Sequence, residues 1–169
     1  MEIEIPIERE SINISQDTVI DLSTSQFPIN ADISLNGNTL TLTGSGDNFL
    51  NDIIVNSGTL QIDDGYIINL TMESLIAHIN GGWMSNVITN DSIIDLNGGT
   101  IENIIIQDNN NITINLWLEA DITVNGDTNT LYVNAPIDNI IINGNDNIIY
   151  NQIGSDLNII DNGKNNSIK

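Results

Sequence analysis

The chain has 169 residues, enough for one domain with a sizeable core. Hydrophobic residues make up 40% but aromatics only 4%, so Ile, Leu and Val must build nearly all of that core. Lys and Arg number 3 against 23 Asp and Glu, a formal net charge of -20 that disfavours nucleic acid and anionic membrane surfaces and suits cation binding or docking on a basic partner.

The N-terminal stretch MEIEIPIERE alternates Glu with Ile around Pro6, the pattern of an exposed or edge strand. It is acidic and lacks an apolar h-region, so no secretory signal is expected there, and Met1 fits a leaderless product. Ile12–Ile14 and Val19–Leu22 read as the first short strands of a stack, and Gln26-Phe27-Pro28 as a corner. Residues 1–30 are expected to form an N-terminal segment with two readings open. It is either a polar cap over the edge of the first coil or an arm that grips another subunit.

Residues 31–169 read as a single β-solenoid domain. The octet ISLNGNTL at Ile33–Leu40 returns as IIVNSGTL at Ile53–Leu60, 20 residues on, and as IDLNGGTI at Ile94–Ile101, 41 residues later. A unit of this length repeated this way is the signature of a solenoid in which each unit forms one coil. The overlay places Ile33 over Ile53, Leu35 over Val55, Leu40 over Leu60, Leu42 over Ile62 and Leu50 over Leu70. Asn-Gly also marks hairpins, and a meander competes, but hairpins need no octet that returns every 20 residues.

Residues 72–92 interrupt the pattern. MESLIAH suits either helical turns or a coil strand with Leu75 over Val55, and the neighbouring register favours the strand. Gly81-Gly82-Trp83-Met84 is expected to be a loop bulging from one face. Beyond Ile112 the apolar runs recur at about nine residues, so two halves make a coil of about 18. The corners NGDTN, NGNDN and NGKNN begin at Asn125, Asn143 and Asn162. The expected architecture is therefore an all-β parallel solenoid of about eight coils, wide coils of about 20 residues tapering to narrow, two-sided ones of about 18.

Candidate chemistry is sparse. Without cysteine there are neither disulfides nor thiolate metal sites, and no apolar run approaches a membrane span. Thr43–Asn51 resembles the calcium β-roll nonapeptide, with Gly44 and Gly46 in place but Asn48 where a ligating aspartate should stand. Asp47 and Asn48 are thus weak calcium candidates. Asn129, Asn147 and Asn166 take the same place in the later corners, and neutral amides suit stacked ladders better than a hard cation. No cofactor is expected. Arg9, Lys164 and Lys169 lie at the chain ends, Asp63-Asp64 should face opposite sides of a strand, and His78 reads as a packed residue. No catalytic set is visible, so the chain is expected not to be an enzyme. A Thr ladder for ice begins at Thr39, Thr41 and Thr43 but fails at Gln61 and Asp63.

Across about residues 12–118 the octets resemble the DLNGxTL lines of right-handed parallel β-helix proteins. The tail from Ile122 is similar to an uncharacterised β-roll family of bacterial exported proteins. The resemblance implies the fold, and it implies roles spread over enzymes, adhesins and virion fibres or spikes. The function expected is a structural protein of an assembly: a virion decoration or surface-spike protein, homotrimeric and seated on a shell or capsid protein. The alternative is a carbohydrate-binding or adhesive module. Trp83, Met84, Phe27, Ile3 and Ile5 are the expected interface residues, because large apolar groups are few here and Trp and Met are enriched at interface centres. The virion surface is the expected location, with extracellular and cytoplasmic placement as the other readings.

Overall fold

Short period-2 runs become strands wherever Asn, Gly, Asp or Ser interrupts them. The computed structural model describes residues 9–24, 27–44, 49–154 and 156–169. The first coil holds β1 (Glu10–Asn13) and β2 (Thr18–Asp21), the second β3 (Asn30–Ser34) and β4 (Thr39–Thr43), the third β5 (Phe49–Asn56) and β6 (Thr59–Ile62). There follow β7 (Tyr66–Glu73) with β8 (Ile76–Ile79), β9 (Trp83–Asn90) with β10 (Ile93–Leu96), and β11 (Thr100–Ile106) with β12 (Asn111–Ile114). The stack ends with β13 (Leu118–Val124) and β14 (Thr130–Val133), β15 (Ile137–Ile142) and β16 (Ile148–Asn151), then β17 (Ile159–Asp161) and β18 (Ser167–Ile168).

Odd-numbered strands form one nine-stranded sheet, here sheet A, and even-numbered strands form a second, sheet B. Every pairing is parallel, with neighbours one coil apart in sequence. This is the parallel β-solenoid of about eight turns that the repeats predict. Early coils are longer: Ala31 pairs with Ile53 and Thr18 with Leu40, 22 residues on, whereas Tyr66 pairs with Trp83, 17 residues on. The later steps settle at 18 or 19, as in Ile122↔Ile140 and Ile140↔Ile159. Yet the cross-section is two-sided from the first coil, not only in the tail, and β1 and β2 already belong to the two sheets.

Two parts of the sequence overlay shift. Leu40↔Leu60 and Leu42↔Ile62 stand as expected, but Ile33 pairs with Val55 and Leu50 with Ile67. The cause is a bend in the sheet A strands. Leu50 and Ile53 both point inward with two outward residues between them, and so do Ile67 and Leu70, and Met84 and Val87. Residues 72–92 do not break the stack either. Residues 76–79 form strand β8, Met72 lies over Val55, and Trp83-Met84 open β9 instead of sitting in a loop.

The core is one continuous aliphatic column from Ile14 to Ile149, with Leu40 and Ile142 both fully buried. Inward residues stack on their equivalents about 4.8 Å along the axis, so each buries its neighbours' faces as well as its own.

Candidate functional site

Each coil crosses from sheet A to sheet B through a corner with one non-glycine residue in the left-handed region. These are Asn36, Ser57, Ser74, Asp91, Asn109, Thr128, Asp146 and Asn165. Asn, Asp and Ser tolerate that region, which is why the corners are spelled with them. The next residue turns inward. In the later coils it is Asn110, Asn129, Asn147 and Asn166, the first three fully or almost fully buried.

These buried amides form a ladder. Asn110 donates its backbone N–H to Asn129 Oδ1 at 2.7 Å, and Asn129 does the same to Asn147 at 2.8 Å. Side-chain Nδ2 groups repeat the link at 3.0 Å in both steps, and Asn147 donates its backbone N–H to Asn166 Oδ1 at 2.8 Å. Outer rows repeat the device: Asn134 to Asn115 to Asn97 to Asn80 to Asp63, and Asn103 to Asn86 to Asn69, each by an amide Nδ2. Among the described residues, every buried side-chain N or O has a partner. The asparagines at these corners are occupied in structure, as the missing ligand charge suggested.

Asp47 and Asn48 lie outside the described residues, in the connection from β4 to β5. That connection runs from sheet B to sheet A, whereas Asn129 and Asn147 lie in connections of the opposite kind, so Asn48 is not their counterpart. Among the described residues no group of three or more His, Asp or Glu side chains could hold a metal ion.

The expected interface residues separate. Met84 is fully buried in the core and faces no partner, because β9 turns it inward beside Ile67 and Ile101. Phe27 is half-buried against the core. Ile3 and Ile5 lie outside the described residues. Trp83 points outward and stacks on Tyr66, with ring centroids 4.3 Å apart and planes 14° apart. Phe49 meets Tyr66 edge-on at 6.3 Å, so Phe49, Tyr66 and Trp83 form an aromatic row along the outer rim of sheet A.

The row stops at Thr100, which pairs with Trp83 one coil on. There a recess of 380 Å³ opens, lined by Gly99, Thr100, Ile101, Glu102, Trp117 and Leu118. Trp117 is 67% exposed, the second tryptophan and the more accessible one. Sequence reasoning paired Trp117 with no feature. Its signal lay in register: Gly65, Gly82 and Gly99 are 17 residues apart, and Trp117 falls 18 further on.

The remaining charged candidates pair on the surface. His78 is not packed inside: it projects from β8 with Nδ1 3.1 Å from Asp95 Oδ2. Arg9 bridges Asp32 at 2.7 Å and also Asp52, tying two rungs of sheet A; the Asp32 bond raises its pKa further above the ordinary value. Asp63 and Asp64 follow β6 in a corner, not on two faces of a strand, and Asp63 is held below the usual carboxylate range by N–H donors from Asn80 and then Gln61. No protein-family model, curated protein or solved structure matches the chain.

Proposed function

We propose that the chain is a non-enzymatic structural protein, a rigid acidic rod of a virion surface that decorates or spikes a shell as a homotrimer on a capsid protein. The observation that carries this reading is where the polar side chains go: row after row is engaged in axial ladders, which stiffen a rod and leave little for catalysis. A flat contact face supports the trimer. Ile54, Thr71, Ile88, Ile105, Thr123 and Ile141 form one outward line on sheet A, a long half-buried stripe of the kind that packs between copies. Analytical ultracentrifugation of wild type against Ile105→Lys tests the stripe. A trimer that the variant disperses is expected, and a wild-type monomer at every concentration would remove the homo-oligomer. Mass spectrometry of purified particles tests the location, with the chain expected at fixed stoichiometry to a shell protein.

A second reading, a carbohydrate-binding or adhesive module, draws on the aromatic row, where Phe49 and Tyr66 remain 44% and 42% exposed. Glycan-array binding without particle association would favour it.

A further inference from the structure

We propose that the recess beneath Trp117 binds an organic ammonium group. The proposal does not depend on the rod's role in an assembly.

Backbone crowding creates the recess. Gly82 and Gly99 have φ of 85° and 90°, and a Cβ on either would lie 2.7–2.8 Å from a carbonyl oxygen of the coil before. No side chain fits at this corner in those coils. One coil later the same place falls to Trp117, and its indole stands out in solvent. The sheet also parts here. Between Leu118 and Asp121 β13 carries one residue more than β15 does between Ile137 and Asn139, a bulge. Pairing of β11 with β13 begins only at Asn103↔Asp121, although β11 pairs with β9 from Thr100 onward. Leu118 donates its N–H to Pro136 O, on the far side, at 3.1 Å. A gap is thus left between Thr100–Glu102 and Trp117-Leu118, in a stack that is otherwise continuously paired at this rim.

The lining selects the ligand. An exposed indole offers a negative π face, and Glu102 offers a carboxylate that the Ser85 hydroxyl holds at 2.8 Å. No basic residue lines the recess, and the net charge of -20 draws cations toward it. A volume of 380 Å³ is at the small end for ligand pockets and accommodates a trimethylammonium or primary ammonium head. The chain already makes one such contact within itself, with Lys169 Nζ 5.2 Å from the Tyr150 ring centroid. The ammonium could be supplied by a free small amine or by a lysine side chain of a basic protein.

The test follows the two indole N–H signals of the full chain by NMR, assigned with Trp117→Phe, at low salt. Choline, a lysine-bearing peptide and the neutral isostere 3,3-dimethylbutan-1-ol are titrated separately. Choline or the peptide is expected to shift the Trp117 signal saturably and leave Trp83 unmoved, with Glu102→Gln weakening binding about tenfold. The tighter of the two identifies the source, free amine or protein side chain. Variants are compared at unchanged melting temperature, and Thr100→Ser serves as a folded control. Equal binding of the neutral isostere, an unaffected Glu102→Gln, or no saturation by either cation would overturn the proposal.

Discussion

The corner between sheets A and B is built in two ways along one molecule. Its inward position runs Asn38, Gly58, Leu75 and Ser92 in the early coils, then Asn110, Asn129, Asn147 and Asn166 in the later ones. The backbone link is the same in both regions: the residue at this position accepts an N–H from the strand start one coil on, as in Ile93 to Leu75 at 3.0 Å and Thr130 to Asn110 at 2.9 Å. What changes is the filling. Leu75 packs as an aliphatic, Ser92 switches to hydrogen bonding through Asn110 Oδ1, and from there the amides carry themselves. A buried amide is tolerated only because its neighbours one coil away repeat it, so the ladder extends by repetition and ends where repetition ends.

The largest effect belongs to what both regions share. Leu40→Asp in the early coils and Ile142→Asp in the later ones each place an uncompensated carboxylate in a dry column, at a cost of several kcal/mol against a stability on the order of 5–15 kcal/mol. Loss of the folded circular-dichroism signal is expected for both. A soluble Ile142→Asp protein with an unchanged melting curve would contradict the stacked core.

Next come the two fillings. Asn129→Leu keeps the volume but orphans the Asn110 backbone N–H, an expected loss of about 1–3 kcal/mol by denaturant titration. Leu75→Met should cost less than about 1.5 kcal/mol, since shape and polarity are kept. If both substitutions cost the same, the two regions do not differ in the way described. Chelator sharpens the point: if the later corners are ladders, removing calcium leaves the melting temperature where it was, and a drop of many degrees would make them ion sites.

Smaller still is the strain at the corner itself. Thr128, β-branched, sits at φ 60°, where Asn109 and Asn165 hold the same place in neighbouring coils. Thr128→Asn is expected to raise stability by up to about 1 kcal/mol, as a rise in melting temperature. The mildest change is in acid. With its pKa depressed by Asn80 and Gln61, Asp63 contributes stability that is present above the unfolded-state pKa of about 3.9 and lost as pH falls through the lower folded value. Asp63→Asn should therefore flatten the pH dependence of melting below about pH 4 and leave neutral pH unaffected.

Strand placement, coil number and the amide ladders were legible in the residues because they depend on local alternation and on Asn at fixed offsets. The 18-residue and 19-residue spacing of Asn125, Asn143 and Asn162 marks real corners, and the outer amides of those three residues bond in register at 2.9 and 3.0 Å. What the sequence could not distinguish was which corner an octet spans. Ile33–Leu40 and Ile53–Leu60 cross from sheet A to sheet B, while Ile94–Ile101 crosses back from β10 in sheet B to β11 in sheet A. The two corners make the same local demand, an inward apolar pair, Asn, two small residues, then a new strand, so identical octets serve either. Only the closed coil assigns them. The same holds for the tryptophans: both look alike as large apolar residues in a chain with few of them. Trp83 gains a partner because Tyr66 lies directly beneath it in register, and Trp117 is left outside because the coils before it closed their corner with glycine. Local pattern determines the strand, but the face and exposure of a side chain depend on what the neighbouring coil puts at the same place.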